Sequence, residues 1–153
     1  MVVLSIMMKR LFFYIILAVS VAFASCEDND SFGVSPSNIF TFSEDTINMD
    51  TVFSTVPTPT YYFWVYKNSG DGIRINQARL QRGNQTGFRV NVDGFYLDNS
   101  MGSLVNNIEV REGDSMRVFV ELTSAANGQD APVLLEDDLL FLLESGVVQK
   151  VNL

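Results

Sequence analysis

The chain has 153 residues, with 10 Lys and Arg against 18 Asp and Glu, no His and one Cys. No His means no Ser-His or Cys-His catalysis and no His-ligated zinc; one Cys means no internal disulfide and no Cys-cluster metal site. A net charge of −8 opposes binding to a phosphate backbone, so nucleic acid is excluded as a partner, while 47% apolar and 18% charged residues provide for one packed domain of ordinary size.

The first 25 residues read as a secretory leader. Lys9-Arg10 precede an apolar run from Leu11 to Ala24, and Ala24-Ser25 are small. The run is shorter than the ~20 residues a membrane-spanning helix needs. A positive pair, a short apolar core and small residues follow in the order of a cleaved signal. Removing Lys9 and Arg10 with the leader makes the remainder more acidic still.

The leader ends Phe23-Ala24-Ser25-Cys26, and Cys26 is the sole Cys of the chain. This resembles a bacterial lipobox, with Phe23 where Leu is usual. The resemblance implies that the Cys26 thiol carries a diacylglycerol and that acyl chains such as palmitate anchor the protein stably in the outer membrane. Ordinary cleavage leaving a free Cys is the plainer alternative. Glu27-Asp28-Asn29-Asp30 follow directly. That run resembles the surface-export signal of Bacteroidota lipoproteins, with Glu27, Asp28 and Asp30 as its acids. It implies the cell surface, with the periplasmic face as the alternative. As bare charge it is a solvated tether, which we place over residues 26–37.

From Asn38 apolar and polar residues alternate, and residues 38–153 read as one all-β domain. Ile47, Met49, Thr51 and Phe53 share one face of an expected strand that stops at Pro57-Thr58-Pro59. Tyr61–Tyr66 is a run of aromatics and Val, all strand formers. Asn68–Gly72 is a turn. Ile73 and Ile75, then Ala78 and Leu80, alternate out of phase, which predicts a β-bulge near Gln77. Phe88, Val90 and Val92 face inward, and residues 94–103 read as an irregular connection. Ile108 and Val110 form a short strand, Glu112-Gly113-Asp114 a turn, and Met116–Leu122 a long strand. Leu134–Leu143 and Val147–Leu153 flank the hairpin signal Ser145-Gly146. About seven to nine short strands with frequent turns mean a β-sandwich or barrel.

The order Val65-Tyr66-Lys67-Asn68, Ile73-x-Ile75, Phe88-x-Val90, then Ile108-x-Val110-x-Glu112-Gly113-Asp114-Ser115 resembles immunoglobulin-like domains of the ASPM–SPD-2–Hydin and major-sperm-protein kind. It is more similar to the N-terminal domain of a group of Bacteroidota lipoproteins. There, segments like Phe42–Thr46 with Asp50–Phe53, and like Asn91–Gly94, recur. The resemblance implies an immunoglobulin-like β-sandwich. The Pro usual after the long strand is replaced by Leu122-Thr123-Ser124.

Four constellations are candidates for chemistry. On the aromatic strand, Tyr61, Phe63 and Val65 share one face, and Tyr62, Trp64 and Tyr66 the other. The plainer reading is a central strand covered on both faces. The functional ones are a sugar-stacking platform or a protein contact built on Tyr62, Trp64 and Tyr66. Glu136-Asp137-Asp138 with Asp130 could hold Ca²⁺ but lacks a binding-loop spacing, and reads as a solvated approach to a hairpin. Asp93-Gly94 with Asp98-Asn99 reads the same way. Thr46, Thr51 and Ser115 each stand in Asp-Ser/Thr-aliphatic triplets that resemble the O-glycosylation acceptors of Bacteroidota.

No cofactor, metal site or enzyme activity is expected. The leading expectation is a non-catalytic lipid-anchored envelope protein whose immunoglobulin-like domain is a spacer or protein-interaction module. The alternatives are a surface glycan-binding protein and an envelope assembly factor that adds a strand at the edge Val147–Leu153. The partner is accordingly an envelope protein or a polysaccharide.

Overall fold

The computed structural model describes residues 7–10, 12–14, 30–97, 100, 102–126, 128 and 131–153. Cys26, Glu27, Asp28, Asp98, Asn99 and Asp130 lie outside these residues. Residues 7–10 and 12–14 are helical, and no helix among the described residues is long and apolar enough to cross a membrane.

Among the described residues, nine strands form two antiparallel sheets. They are β1 (Thr41–Phe42), β2 (Tyr61–Tyr66), β3 (Ile73–Leu80), β4 (Phe88–Val92), β5 (Phe95–Tyr96), β6 (Leu104–Val110), β7 (Ser115–Leu122), β8 (Asp138–Leu143) and β9 (Val148–Asn152). One sheet runs β1-β2-β7-β4-β5 and the other β6-β3-β8-β9. The order β1-β2-β7-β4 facing β3-β8-β9 is that of the ABED and CFG sheets of an immunoglobulin sandwich. β5 and β6 are additions between the fourth and fifth strands of that scheme. The first lengthens one sheet; the second crosses over to cover the outer edge of β3.

The core lies where inward residues of both sheets meet. Phe63 and Val65 of β2, and Met116, Val118 and Val120 of β7, face Ile73, Ile75 and Ala78 of β3 and Leu139, Phe141 and Leu143 of β8; all are buried. Phe42 bridges the layers, with ring centroids 6.5 Å from Phe63 and 5.7 Å from Phe141. Burying each Phe stabilises the fold by roughly 1.5–3 kcal/mol. The bulge read from the sequence is present: the β3–β8 register shifts between Ile75 and Gln77. It lets Ile75 and Ala78, an odd number of residues apart, both point inward.

Some expectations are corrected. Ile47–Phe53 is not a strand. Thr46 makes one parallel bridge to Asn152, Ile47 N–H donates to the Asn152 carbonyl at 2.9 Å, and the chain then leaves the sheet. Ile47 stays buried while Phe53 is 79% exposed. Alternation alone does not supply a neighbour with free backbone groups. Conversely, the stretch after Val92 is a hairpin into β5. Asp93 and Gly94 take φ of 50° and 87°, as a tight two-residue turn with the strands' own twist requires.

The tether ends sooner than expected. From Asp30 the chain is docked on the end of the sandwich formed by turns 67–72 and 111–114. Asp30 pairs with Arg111 at 2.7 Å. Phe32 bridges Gly72 in parallel, with Gly72 N–H donating to Ser31 O at 2.8 Å and Gly33 N–H to Gly72 O at 3.0 Å. The Arg74 guanidinium lies 4.4 Å from the Phe32 ring centre. A Cβ on Gly72 would stand 2.9 Å from the Phe32 ring and from the Val110 carbonyl, so only glycine permits this approach. We call this the proximal end. Loops 47–60, 81–87 and 131–137 make the distal end.

Candidate functional site

β2 lies between β1 and β7, and its inward residues Phe63 and Val65 fix which side faces out. Tyr62, Trp64 and Tyr66 therefore stand on the outer face of the five-stranded sheet. The expected cover on both faces is not there among the described residues: Tyr62 is 57% exposed, and Trp64 and Tyr66 are half-buried. The register sets Phe119 opposite Tyr62, Arg117 opposite Trp64 and Ser115 opposite Tyr66. Asn91 lies across from Phe119, and Tyr96 across from Asn91. The sequence marked three residues of this face. Phe119, Arg117 and Tyr96 complete it, and only cross-strand pairing reveals them.

The rings stand against one another. Trp64 and Tyr66 are nearly parallel, 16° apart with centroids at 6.4 Å. Tyr62 and Phe119 are tilted at 51°, also 6.4 Å apart. The Arg117 guanidinium carbon sits 4.2 Å from the centre of Trp64, 5.3 Å from Tyr62 and 5.7 Å from Phe119. A cation–π contact at an exposed site contributes about 0.5–1 kcal/mol, and here the closest ring, Trp64, supplies the main one. Arg117 has no carboxylate within ion-pair distance among the described residues. Its neighbour Asp93 is exposed and joined to it only through the backbone, Asp93 N–H donating to Arg117 O at 3.0 Å. Elsewhere Arg89 holds Glu121 at 2.9 Å and Lys150 holds Asp138 at 3.3 Å.

Other candidates are placed as follows. Asp137 is not solvated. It is 5% exposed, and its carboxylate accepts from Thr86 Oγ1 at 2.9 Å, Arg82 N–H at 3.0 Å and Asp138 N–H at 2.8 Å. It ties the 81–87 loop to the start of β8, a structural role. Glu136 is exposed, and no three potential ligands gather for a metal among the described residues. Beside this network a groove of about 920 Å³ opens at the distal end, bordered by Ile47, Val52, Leu122 and Leu153. Of the hydroxyl triplets, Thr46 and Ser115 are half-buried beside or within strands, whereas Thr51 is exposed in an irregular loop.

The edge of β9 is not open to an added strand. Asn152 N–H donates to Asp45 O at 3.0 Å while Asn152 O accepts from Ile47 N–H at 2.9 Å. The Gln149 amide clasps the backbone of Phe40, accepting from its N–H at 2.8 Å and donating to its carbonyl at 3.0 Å. The opposite edge of that sheet, β6, is interrupted by Asn107 at a φ of 58°. Such a kink blunts an edge against pairing.

The chain matches no family model and no curated protein sequence.

Proposed function

We propose that this chain is a non-catalytic, lipid-anchored cell-envelope protein whose immunoglobulin-like sandwich binds a protein partner. The contact surface is the outer face of the five-stranded sheet. The observation that carries this reading is the outward group of Tyr62, Trp64 and Phe119 around Arg117, with Tyr66 beside Trp64. Trp, Tyr and Arg are the residues that dominate protein–protein contacts. The anchor rests on Cys26 after its apolar leader, and the outer-membrane address on the acids Glu27, Asp28 and Asp30.

Sugar binding is favoured less. A sugar ring stacks on an open aromatic face, and Arg117 lies over the face of Trp64. Trp64 and Tyr66 also stack on one another, so the group is a packed ridge instead of a flat platform. Strand addition is favoured less again, since β9 is covered by residues 45–47.

Two experiments test the two halves. Cys26→Ser should move the protein out of the membrane fraction; unchanged fractionation would remove the anchor. A photo-reactive amino acid in place of Tyr62 should give protein adducts in living cells, and one in place of Val148, exposed on the other sheet, should not. Adducts from neither position, or equally from both, would remove the contact surface. Retention of the wild type on a polysaccharide gel, lost with Trp64→Ala, would revive the glycan reading.

A further inference from the structure

We infer that the aromatic face pairs with the same face of a second copy standing beside it on the same membrane. This rests on the lipid-anchor reading above and goes beyond it by naming the partner. Three observations lead there.

The first is the orientation of the domain. Only Glu27, Asp28 and Asn29 separate Cys26 from Asp30, which Arg111 holds at the proximal end. Four peptide steps reach at most about 14 Å. An anchor on Cys26 thus keeps the proximal end near the lipid surface, with the strands rising away from it. The aromatic face runs along the strands, so it points sideways, toward neighbours in the membrane.

The second is charge. From Cys26 on the chain carries 8 Lys and Arg against 18 Asp and Glu, a net −10, which sets two copies repelling each other. On the aromatic face the charges balance: Arg89 and Arg117 against Glu121 and Asp93. Arg89 and Glu121 are already paired at 2.9 Å. Arg117 and Asp93 are adjacent, exposed and unpaired with each other. Such a pair is self-complementary: about a twofold axis, Arg117 of each copy meets Asp93 of the other.

The third is symmetry and size. Two copies anchored in one membrane must share their up-direction, so their twofold axis lies along the membrane normal. Face-to-face pairing about an axis parallel to the strands meets that condition. The five strands hold 23 residues, which at about 3.4 Å along and 4.8 Å across per residue offer roughly 380 Å² per copy. A total of about 750 Å² is the size of a weak contact. Weak association in dilute solution becomes strong when both copies share a surface, because the effective concentration rises.

The test uses the lipidated protein in phosphatidylethanolamine vesicles, as donor- and acceptor-labelled copies, read by energy transfer at low surface density. Wild type should transfer. Arg117→Glu alone and Asp93→Arg alone should each weaken association at least about tenfold, since each sets like charges opposite one another. Their mixture should regain transfer to within about threefold of wild type. In the mixed pair the introduced glutamate faces the introduced arginine, while the native Asp93 of one copy faces the native Arg117 of the other. If the strained turn position rejects arginine and that variant unfolds, Arg117→Ala replaces it and should weaken association less than Arg117→Glu. No transfer by wild type, a mixture that stays apart, or equal transfer by wild type and both Arg117 variants would overturn the inference. Adducts from position 62 to a different protein, without self-transfer, would overturn this inference alone and leave the contact surface standing.

Discussion

The sandwich has two outer faces, built on the same alternation and carrying balanced charges, yet they are finished differently. On the four-stranded sheet two of the three cations meet acids, and Arg79, half-buried on β3, has no carboxylate partner among the described residues. Arg74 bonds Glu109 at 2.8 Å and lies 3.6 Å from Glu144, and Lys150 reaches Asp138 at 3.3 Å. The hydrogen bond to Glu109 raises Arg74 above the ordinary guanidinium pKa, and the charges of Glu109 and Glu144 add to it. On the five-stranded sheet Arg117 lies on rings, with no acid paired to it among the described residues. The first face pairs most of its charges internally and sets no ring against its remaining cation. The second holds a fixed cation and several rings in positions that a partner can use. The difference teaches where to look for function: paired and unpaired cations occur on both faces, and a cation set among several rings is what separates them.

The sharpest way to break this contrast compares neighbours on β2. Phe63→Ala should lower stability by about 3–5 kcal/mol, as for a buried Phe, whereas Trp64→Ala should cost about 1 kcal/mol or less. Chemical denaturation of both variants measures the difference. Equal losses would make the aromatic face structural. Next, two charges are compared. Asp137→Ala strands Thr86 Oγ1 and two backbone N–H groups in the interior, at about 2–3 kcal/mol. Arg117→Ala should cost no more than about 1 kcal/mol, since it loses only ring contacts. Should Arg117→Ala prove the costlier, the cation belongs to the fold and is not held ready for a partner.

Gln149→Ala should cost about 1–2 kcal/mol by releasing Phe40 from β9. Faster hydrogen exchange at Phe40 and Ile47, with β2 unaffected, would be its signature. The smallest effect belongs to the paired face: Lys150→Ala should change stability by about 0.5 kcal/mol or less, and less again in high salt. A larger change would show that pairing on that face does more than close its charges.

Much of the fold is legible in the sequence where strands have neighbours on both sides. β3, β4 and β7 alternate, β2 is an unbroken run of strand formers, and even the bulge beside Gln77 shows as a slip in the pattern. Residues 47–53 alternate as well, yet only Ile47 finds a backbone partner on a strand, the Phe53 carbonyl accepting from Val56 N–H within a turn. The Asp93-Gly94 hairpin has a legible signal, an Asp-Gly pair, and the φ values at both positions are those such a turn demands. The docking of Asp30–Asn38 was not legible. It depends on single contacts to residues tens of positions away, such as Asp30 to Arg111 and Phe32 to Gly72.

The site was half legible. Tyr, Trp and Phe form strands whether buried or open, so their identity could not decide between a covered strand and a surface. Lys67 shows the reverse surprise. It is 2% exposed, its ammonium donating to the Ser69 carbonyl within its own turn, where sequence alone suggests a solvated lysine. Neither outcome follows from local pattern, because both depend on which sheet lies above and which strand lies beside.

Trp64 is the only Trp of the chain, so its fluorescence reports the central claim without labels. The mature domain lacking Cys26 should be measured dilute, with acrylamide as quencher. An open face predicts red-shifted emission that acrylamide quenches readily, and protection of Trp64 as concentration rises. Blue-shifted emission that acrylamide barely touches, in the dilute folded domain, would mean the ring is covered by the protein itself and would contradict the account.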